Sequence, residues 1–287
     1  MKKKILAVTI AAALIVSCFT SCDNNTSSDS QTSQAESSTT VSADSASSAT
    51  DISSALDSKT SDSGSDSDKQ LTADDMFSDR DLSGDYSECT DITISDSTAS
   101  CSDSSVTVAD GSVAITKAGT YKFSGTFTGQ IVVNAGDSDK VQLVLDNASI
   151  TKEGSAALYI INADKVFITT VKGTENTLSS TGEFASSDDA TNVDGAIFSK
   201  SDITFNGSGT LNVKCESKHG IVTKDDLKIT GGTYNITSAS QGLSGKDSVR
   251  IAGGIITVTS GTDGIHSENT DDTEKGYVYI SGGTLNI

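Results

Sequence analysis

Acidic side chains on turns are the residues of this 287-residue chain best suited to chemistry. Asp194 and Asp263 each precede a glycine, in "NVDGAIFSK" and "GTDGIHSEN", and Glu268, Asp271 and Asp272 follow the second. Carboxylate oxygens on turns are hard ligands of the kind calcium takes. These five are therefore the candidate metal ligands, with calcium the candidate cofactor. Asp-Gly is equally a turn dipeptide, so the same residues also read as turn formers.

Residue sets for catalysis are sparse. His219 and His266 occupy the turn before or after a repeat glycine, Gly220 and Gly264, and no nucleophile accompanies either. Cys215 lies in a strand pattern without the histidine and acid that would activate a thiol. Arg80 and Arg250 are the two arginines. A lyase acting on acidic sugar chains needs a basic group beside the uronate carboxyl, and Arg250, at an outward strand position, reads as a solvated side chain. The paired acids Asp188-Asp189, Asp225-Asp226 and Asp271-Asp272 invite a glycosidase reading, but adjacency does not set the ~5–9 Å separation that chemistry requires. The chain therefore reads as non-catalytic. There is no tryptophan to form a sugar platform. Sugar contacts would fall to Lys224, Lys246 and the outward Tyr279, together with polar ladders such as Asn212, Asn235, Thr257 and Asn286.

A repeat must position these residues. "KHGIVTKDDLKITGG" and "QGLSGKDSVRIAGG" place Gly220, Gly242 and Gly264 at successive intervals of 22, with Ala196 at the matching place upstream and Lys200, Lys224, Lys246 and Glu268 four residues later. Alternation predicts strands: Ile203 and Phe205, Leu227 and Ile229, Val249 and Ile251, Val278 and Ile280 point inward, and Thr204, Lys228, Arg250 and Tyr279 point outward to solvent. A second strand carries Leu211 and Val213, Tyr234 and Ile236, Ile256 and Val258, Leu285 and Ile287, and a third carries Ile197, Ile221, Leu243 and Ile265. Nothing recurs at 3.6 residues, and a propeller blade needs about twice this period. The prediction is an all-β chain: a right-handed single-stranded parallel β-helix of about 22 residues per coil, with the repeat glycines at positive-φ turns. "LTADDMFSDRDLSGDY" is expected to cap its first coil. The polar insert Asn269 to Lys275 interrupts the last repeat, and the chain stops at Ile287 in mid-rung, which suggests truncation.

The first residues, "MKKKILAVTIAAALIVSCFTSC", read as an export signal: three lysines, an apolar run, then small residues before cysteine. Ile15-Val16-Ser17-Cys18 resembles a lipobox; Cys22 is the weaker alternative. A lipid-anchored, extracytoplasmic protein follows, attached to a membrane without spanning it. Residues 1–22 are the lipoprotein signal peptide, residues 23–72 a disordered Ser/Thr/Asp-rich tether, and residues 73–287 the folded domain. The net charge of −19 includes −12 from 27 acidic and 15 basic residues between 80 and 287. Such a surface argues against nucleic acid as a partner. A Cys89–Cys101 bridge is permitted by export, and the chain is expected to be a monomer.

The stretches "DMFSDRDLSGDY", "AGTYKFSGTF", "VQLVLDNASI", "GTENTLSS", "DGAIFSKSDITFNGSGTLNV", "HGIVTKDDLKITGGTYNI" and "TDGIHSENTDDTEKGYVYISGGTLNI" resemble the clostridial carbohydrate-binding domain proteins. These are pectate-lyase-like β-helical lipoproteins. The resemblance covers Asp75 to Ile287 and implies non-catalytic, calcium-assisted binding of plant cell-wall polysaccharide, cellulose or polygalacturonate, at the cell surface. A calcium-dependent polysaccharide lyase and a structural adhesin stalk are the rival readings.

Overall fold

In a computed structural model, residues 73–185 and 192–287 are described. The expectations for the signal peptide, Cys18, Cys22, the tether and the Asp188-Asp189 pair lie outside them. The described chain is all-β apart from two four-residue helices, α1 (Ala73–Met76) and α2 (Asp79–Leu82).

Each repeat supplies one strand to each of three parallel ladders. The first ladder stacks Lys165–Thr170, Asp202–Gly207, Asp226–Ile229, Ser248–Ile251 and Tyr277–Ile280; the second stacks Glu175–Thr181, Thr210–Cys215, Thr233–Ser238, Ile255–Ser260 and Thr284–Asn286. Both belong to one sheet, bent where the long strand Lys140–Glu153 joins them. Asn147, at φ 54°, sits at that bend, a backbone state asparagine tolerates better than branched residues. The third ladder is a separate sheet running from Ser112–Ile115 through Leu158–Asn162, Gly195–Ser199, His219–Thr223 and Leu243–Gly245 to Ile265–Ser267.

The registers follow the repeat. Ile221 pairs with Leu243 and Leu243 with Ile265; Leu227 pairs with Val249 and Val249 with Val278; Tyr234 pairs with Ile256 and Ile256 with Leu285. Parallel pairing puts like residues over like at ~4.8 Å, so the inward positions fuse into one core. Ile203, Phe205, Leu227, Ile229, Val249, Ile251 and Tyr234 are fully buried in it. Burial of each aliphatic side chain stabilises by about 1.5–3 kcal/mol. Tyr234 stands edge-on to Phe205, their centroids 5.8 Å apart. Val278 and Ile280 keep the inward register but are about half exposed, because among the described residues no strand stacks beyond Tyr277–Ile280.

Four expectations need correction. The repeat glycines divide into two kinds. Gly254, in the glycine pair that closes the second phrase, has φ 96° and makes the expected left-handed turn, but Gly220 and Gly264 have no such backbone, and neither has Gly242. A Cβ there would lie 2.3 Å from Val258 Cγ1 and 2.7 Å from the Gly264 carbonyl, so it is small for lack of room. Secondly, Cys89 and Cys101 are free thiols. Thirdly, Thr204 and Lys228 point outward as expected but are not solvated: they are 0% and 7% exposed. The segment read as a cap on the first coil instead crosses the outward face of the first ladder.

Candidate functional site

The outward row of the first ladder runs Gln142, Phe167, Thr204, Lys228, Arg250, Tyr279, each paired with the next. Residues 76–85 lie across it as a strap. Ser78 opens α2 with a capping box: its hydroxyl accepts from the Asp81 amide, and the Asp81 carboxylate accepts from the Ser78 amide at 2.9 Å. The same carboxylate accepts from Thr204 Oγ1 at 2.8 Å and Lys165 Nζ at 2.9 Å, with Lys228 Nζ at 3.4 Å. Burial pushes the Asp81 carboxyl up, but the hydrogen bonds from Ser78, Lys165 and Thr204 and the charge of Lys228 outweigh it and hold it well below the usual carboxylate range. For Lys228, burial and the neighbouring Lys165 prevail over Asp81 and lower its pKa.

Backbone carbonyls of the strap are also held. Thr230 Oγ1 donates to the Asp81 carbonyl, Asn206 Nδ2 to that of Ser83, and Gln142 Nε2 to that of Asp85. Ring contacts lie toward the two ends of the row: the Arg80 guanidinium lies 4.6 Å over the Phe167 ring, and Phe77 meets Tyr279 at 6.3 Å. Arg250 is not the free arginine its register suggests. It pairs with Asp226 at 2.9 Å and donates to the Met76 carbonyl.

Beside this face, one corner of the fold collects acids. Asp202 Oδ1 accepts from the Asp226 amide at 3.2 Å, and Asp225 and Asp247 precede paired positions on neighbouring rungs. Burial, the charge of Asp202 and a hydrogen bond shared with Asp247 push the Asp225 carboxyl up to about 7. The polar insert closes over Asp247: Asn269 Nδ2 and Lys275 Nζ both donate to its carboxylate, and the Gly276 amide donates to its carbonyl.

A third feature is an open groove along the last three strands of the third ladder, lined by Asp194, His219, Lys224, Gln241, Lys246, His266 and Glu268 among others. It crosses several rungs. His219 Nδ1 accepts from the Gln241 amide at 3.1 Å, and burial lowers the His219 pKa. Among the described residues, Asp194 Oδ1 is buried there without a hydrogen-bond partner, a costly state for a carboxylate oxygen.

The structure disperses the five acids singled out from the sequence. Gly195 pairs with His219, His219 stands level with Gln241, and Gln241 with Asp263, so Asp194 sits about three rungs from Asp263 and one place out of register. Asp263 and Glu268 flank His266 at 3.3 and 3.7 Å. Asp271 is paired with Lys246 at 2.8 Å, and Asp272 turns to the acidic corner. Among the described residues, no three His, Cys, Asp or Glu side chains converge to hold a metal ion. Lys224 and Lys246 do share the groove, Lys224 lying 5.2 Å from the Phe198 ring centroid. Tyr279 is on the other face, under Phe77. The outward asparagine ladder is present, Asn235 donating to Asn212 and Asn212 to Glu175. The gathering around Asp81 was not anticipated; the spacing of Ser78 and Asp81 signals a helix start, but its partners are 84 to 147 residues away.

Residues 109–287 match the family described as carbohydrate-binding domain-containing protein. A carbohydrate-binding domain-containing protein of Acetivibrio thermocellus is 43% identical over 134 residues, 46% of each chain, so the match spans under half the length of that relative. The solved polysaccharide lyase-like protein from C. thermocellum, a gadolinium derivative, is similar with a TM-score of 0.66 and 39% identity, over 69% of this chain and 81% of that one.

Proposed function

The chain belongs to the carbohydrate-binding domain-containing protein family, and from that premise we propose that it binds plant cell-wall polysaccharide, cellulose or polygalacturonate, without cleaving it. In this reading the bent parallel sheets are coils of a right-handed single-stranded β-helix of about 22 residues, and the protein is a monomer displayed outside the cell on a lipid anchor. The observation that carries it is the groove across successive rungs, in which Lys224, Lys246, His219, Gln241, His266 and Glu268 present donors and acceptors along the fold axis. An extended polymer repeats its hydroxyls along its length and meets such a row many times over, so weak contacts add. Non-catalytic binding fits Arg250, the candidate lyase base, being held by Asp226 and by the strap.

Calcium is the proposed aid. Among the described residues the acids do not form a closed cage and Asp194 Oδ1 has no hydrogen-bond partner, so an ion at Asp263 and Glu268, or at Asp194, completes its oxygen shell from sugar hydroxyls or uronate carboxylates. Retention of the purified chain on insoluble cellulose and on polygalacturonate gel, in calcium and then in chelator, tests the reading. Binding to one polymer, weakened by chelator and by a Lys224→Ala/Lys246→Ala double substitution, is expected. No retention on either polymer overturns it.

A further inference from the structure

We propose that the outward face beneath α2 is a second binding surface, for an acidic sugar chain, and that Asp81 occupies it as an internal stand-in for a uronate carboxylate. The inference presupposes that the chain binds polysaccharide, but it concerns a face distinct from the groove. The charge balance of the face points to it. Lys228 and Arg250 are paired outward neighbours, Lys165 stands two rungs away with its ammonium at the same Asp81 carboxylate, and the sheet itself supplies Asp202 near Lys165 and Asp226 against Arg250. In direct ion pairs these three cations thus meet two carboxylates of their own sheet, and the third carboxylate is brought by the strap. Lys228 has Asp81 as its salt-bridge partner.

The neighbouring groups have the chemistry of a sugar site. Phe167 and Tyr279 stand at the two ends of the row Phe167, Thr204, Lys228, Arg250, Tyr279, so aromatic faces bracket the cations and a hydroxyl donor. Aromatic rings with a few convergent polar groups are the usual lining of a ligand site. The strap satisfies each of these in turn: Arg80 covers Phe167, Phe77 meets Tyr279, and the Asp81 carboxylate takes Thr204, Lys165 and Lys228. A segment whose sole task was to seal the sheet would do so better with apolar residues, because a buried ion pair is a weak source of stability against its desolvation. An ionic contact made by a tethered segment is instead one that a polymer bearing many carboxylates can displace, the tether giving the strap a finite effective concentration.

The test uses the full chain and oligogalacturonate, with neutral cello-oligosaccharide as control. Hydrogen exchange across residues 76–85 is expected to rise on adding oligogalacturonate and to stay unchanged with the neutral sugar. Asp81→Asn, which keeps the side-chain shape and removes the competing charge, is expected to bind oligogalacturonate about fivefold tighter or more. Adding Lys228→Ala to that variant is expected to weaken binding about tenfold. Strap exchange unmoved by bound oligogalacturonate, or an Asp81→Asn affinity no greater than that of the native chain, overturns the inference. If the native chain is retained on cellulose or polygalacturonate while either of those results is found, the inference falls and polysaccharide binding at the groove stands. If no form of the chain binds any polymer, both fall. The exchange measurement needs no variant, so a substitution that fails to fold leaves the inference open to refutation.

Discussion

Asp81 and Lys165 stand 2.9 Å apart, carboxylate to ammonium, across 84 residues of sequence, with both side chains nearly withdrawn from solvent. Their contact joins the strap to the outward face of the first ladder. An outward strand position, ordinarily the place for a silent substitution, becomes here the floor of a buried ionic cluster.

Adjacent residues of one strand are therefore expected to fail differently. Ile229→Asp puts a charge into the stacked core, where Ile229 is fully buried, and should prevent cooperative folding. Lys228→Asp sets a second carboxylate against Asp81 and should cost about 3 kcal/mol or more while the strap stays seated. Release of the strap limits that cost. Thermal unfolding combined with limited proteolysis checks this: cleavage near residues 76–85 with the core still folded is expected for Lys228→Asp, and loss of the whole transition for Ile229→Asp.

Asp225 predicts a pH dependence of stability. Its carboxyl titrates near 7 in the folded chain against 3.8 ordinarily. Between those values the folded chain holds a proton that the unfolded chain has released, so this group's contribution is greatest below about pH 4 and declines as pH rises through 7. Asp225→Asn keeps a donor toward Asp247 and removes the titration. Melting temperatures at pH 5 and pH 8 should therefore differ less in the variant than in the native chain; equal differences would mean that Asp225 titrates normally.

Gly242→Ala tests the close-approach role of a repeat glycine. The added methyl meets Val258 Cγ1 and the Gly264 carbonyl, and overpacking of this kind costs about 1–3 kcal/mol. A lowered denaturant midpoint with an unchanged slope is the expected result. A neutral outcome would show that the two ladders can part at that corner.

The anchor is tested at Cys18. Expressed with its own leader in a bacterium, the chain should incorporate labelled palmitate and enter the detergent phase, and Cys18→Ala should abolish both. Retention of label in Cys18→Ala and its loss in Cys22→Ala would move the site to the second cysteine.

Strand register was legible because its signal is local and repeated. The alternation of Leu227, Lys228 and Ile229 recurs in Val249, Arg250 and Ile251, and parallel stacking of equal repeats brings like over like. The candidate site was less legible. Lys224 and Lys246 share a groove as their common repeat position implies, but Asp194 and Asp263 occupy similar motifs on rungs too far apart to meet. The glycines show the same limit: a turn requiring positive φ at Gly254 and a crowded corner at Gly242 look alike in sequence, because the second constraint comes from Val258 on another strand.

By itself the sequence determined the all-β class, the three ladders and which side chains face the core, since each follows from a short-range pattern repeated at a constant interval. Only the tertiary structure decided what covers the outward face. The strap contacts Lys165, Thr204, Lys228 and Arg250 through single hydrogen bonds and charges. Contacts made once, between segments with no shared period, leave no periodic trace in the chain; they exist because the coils bring distant residues to one surface and a carboxylate meets the cations gathered there.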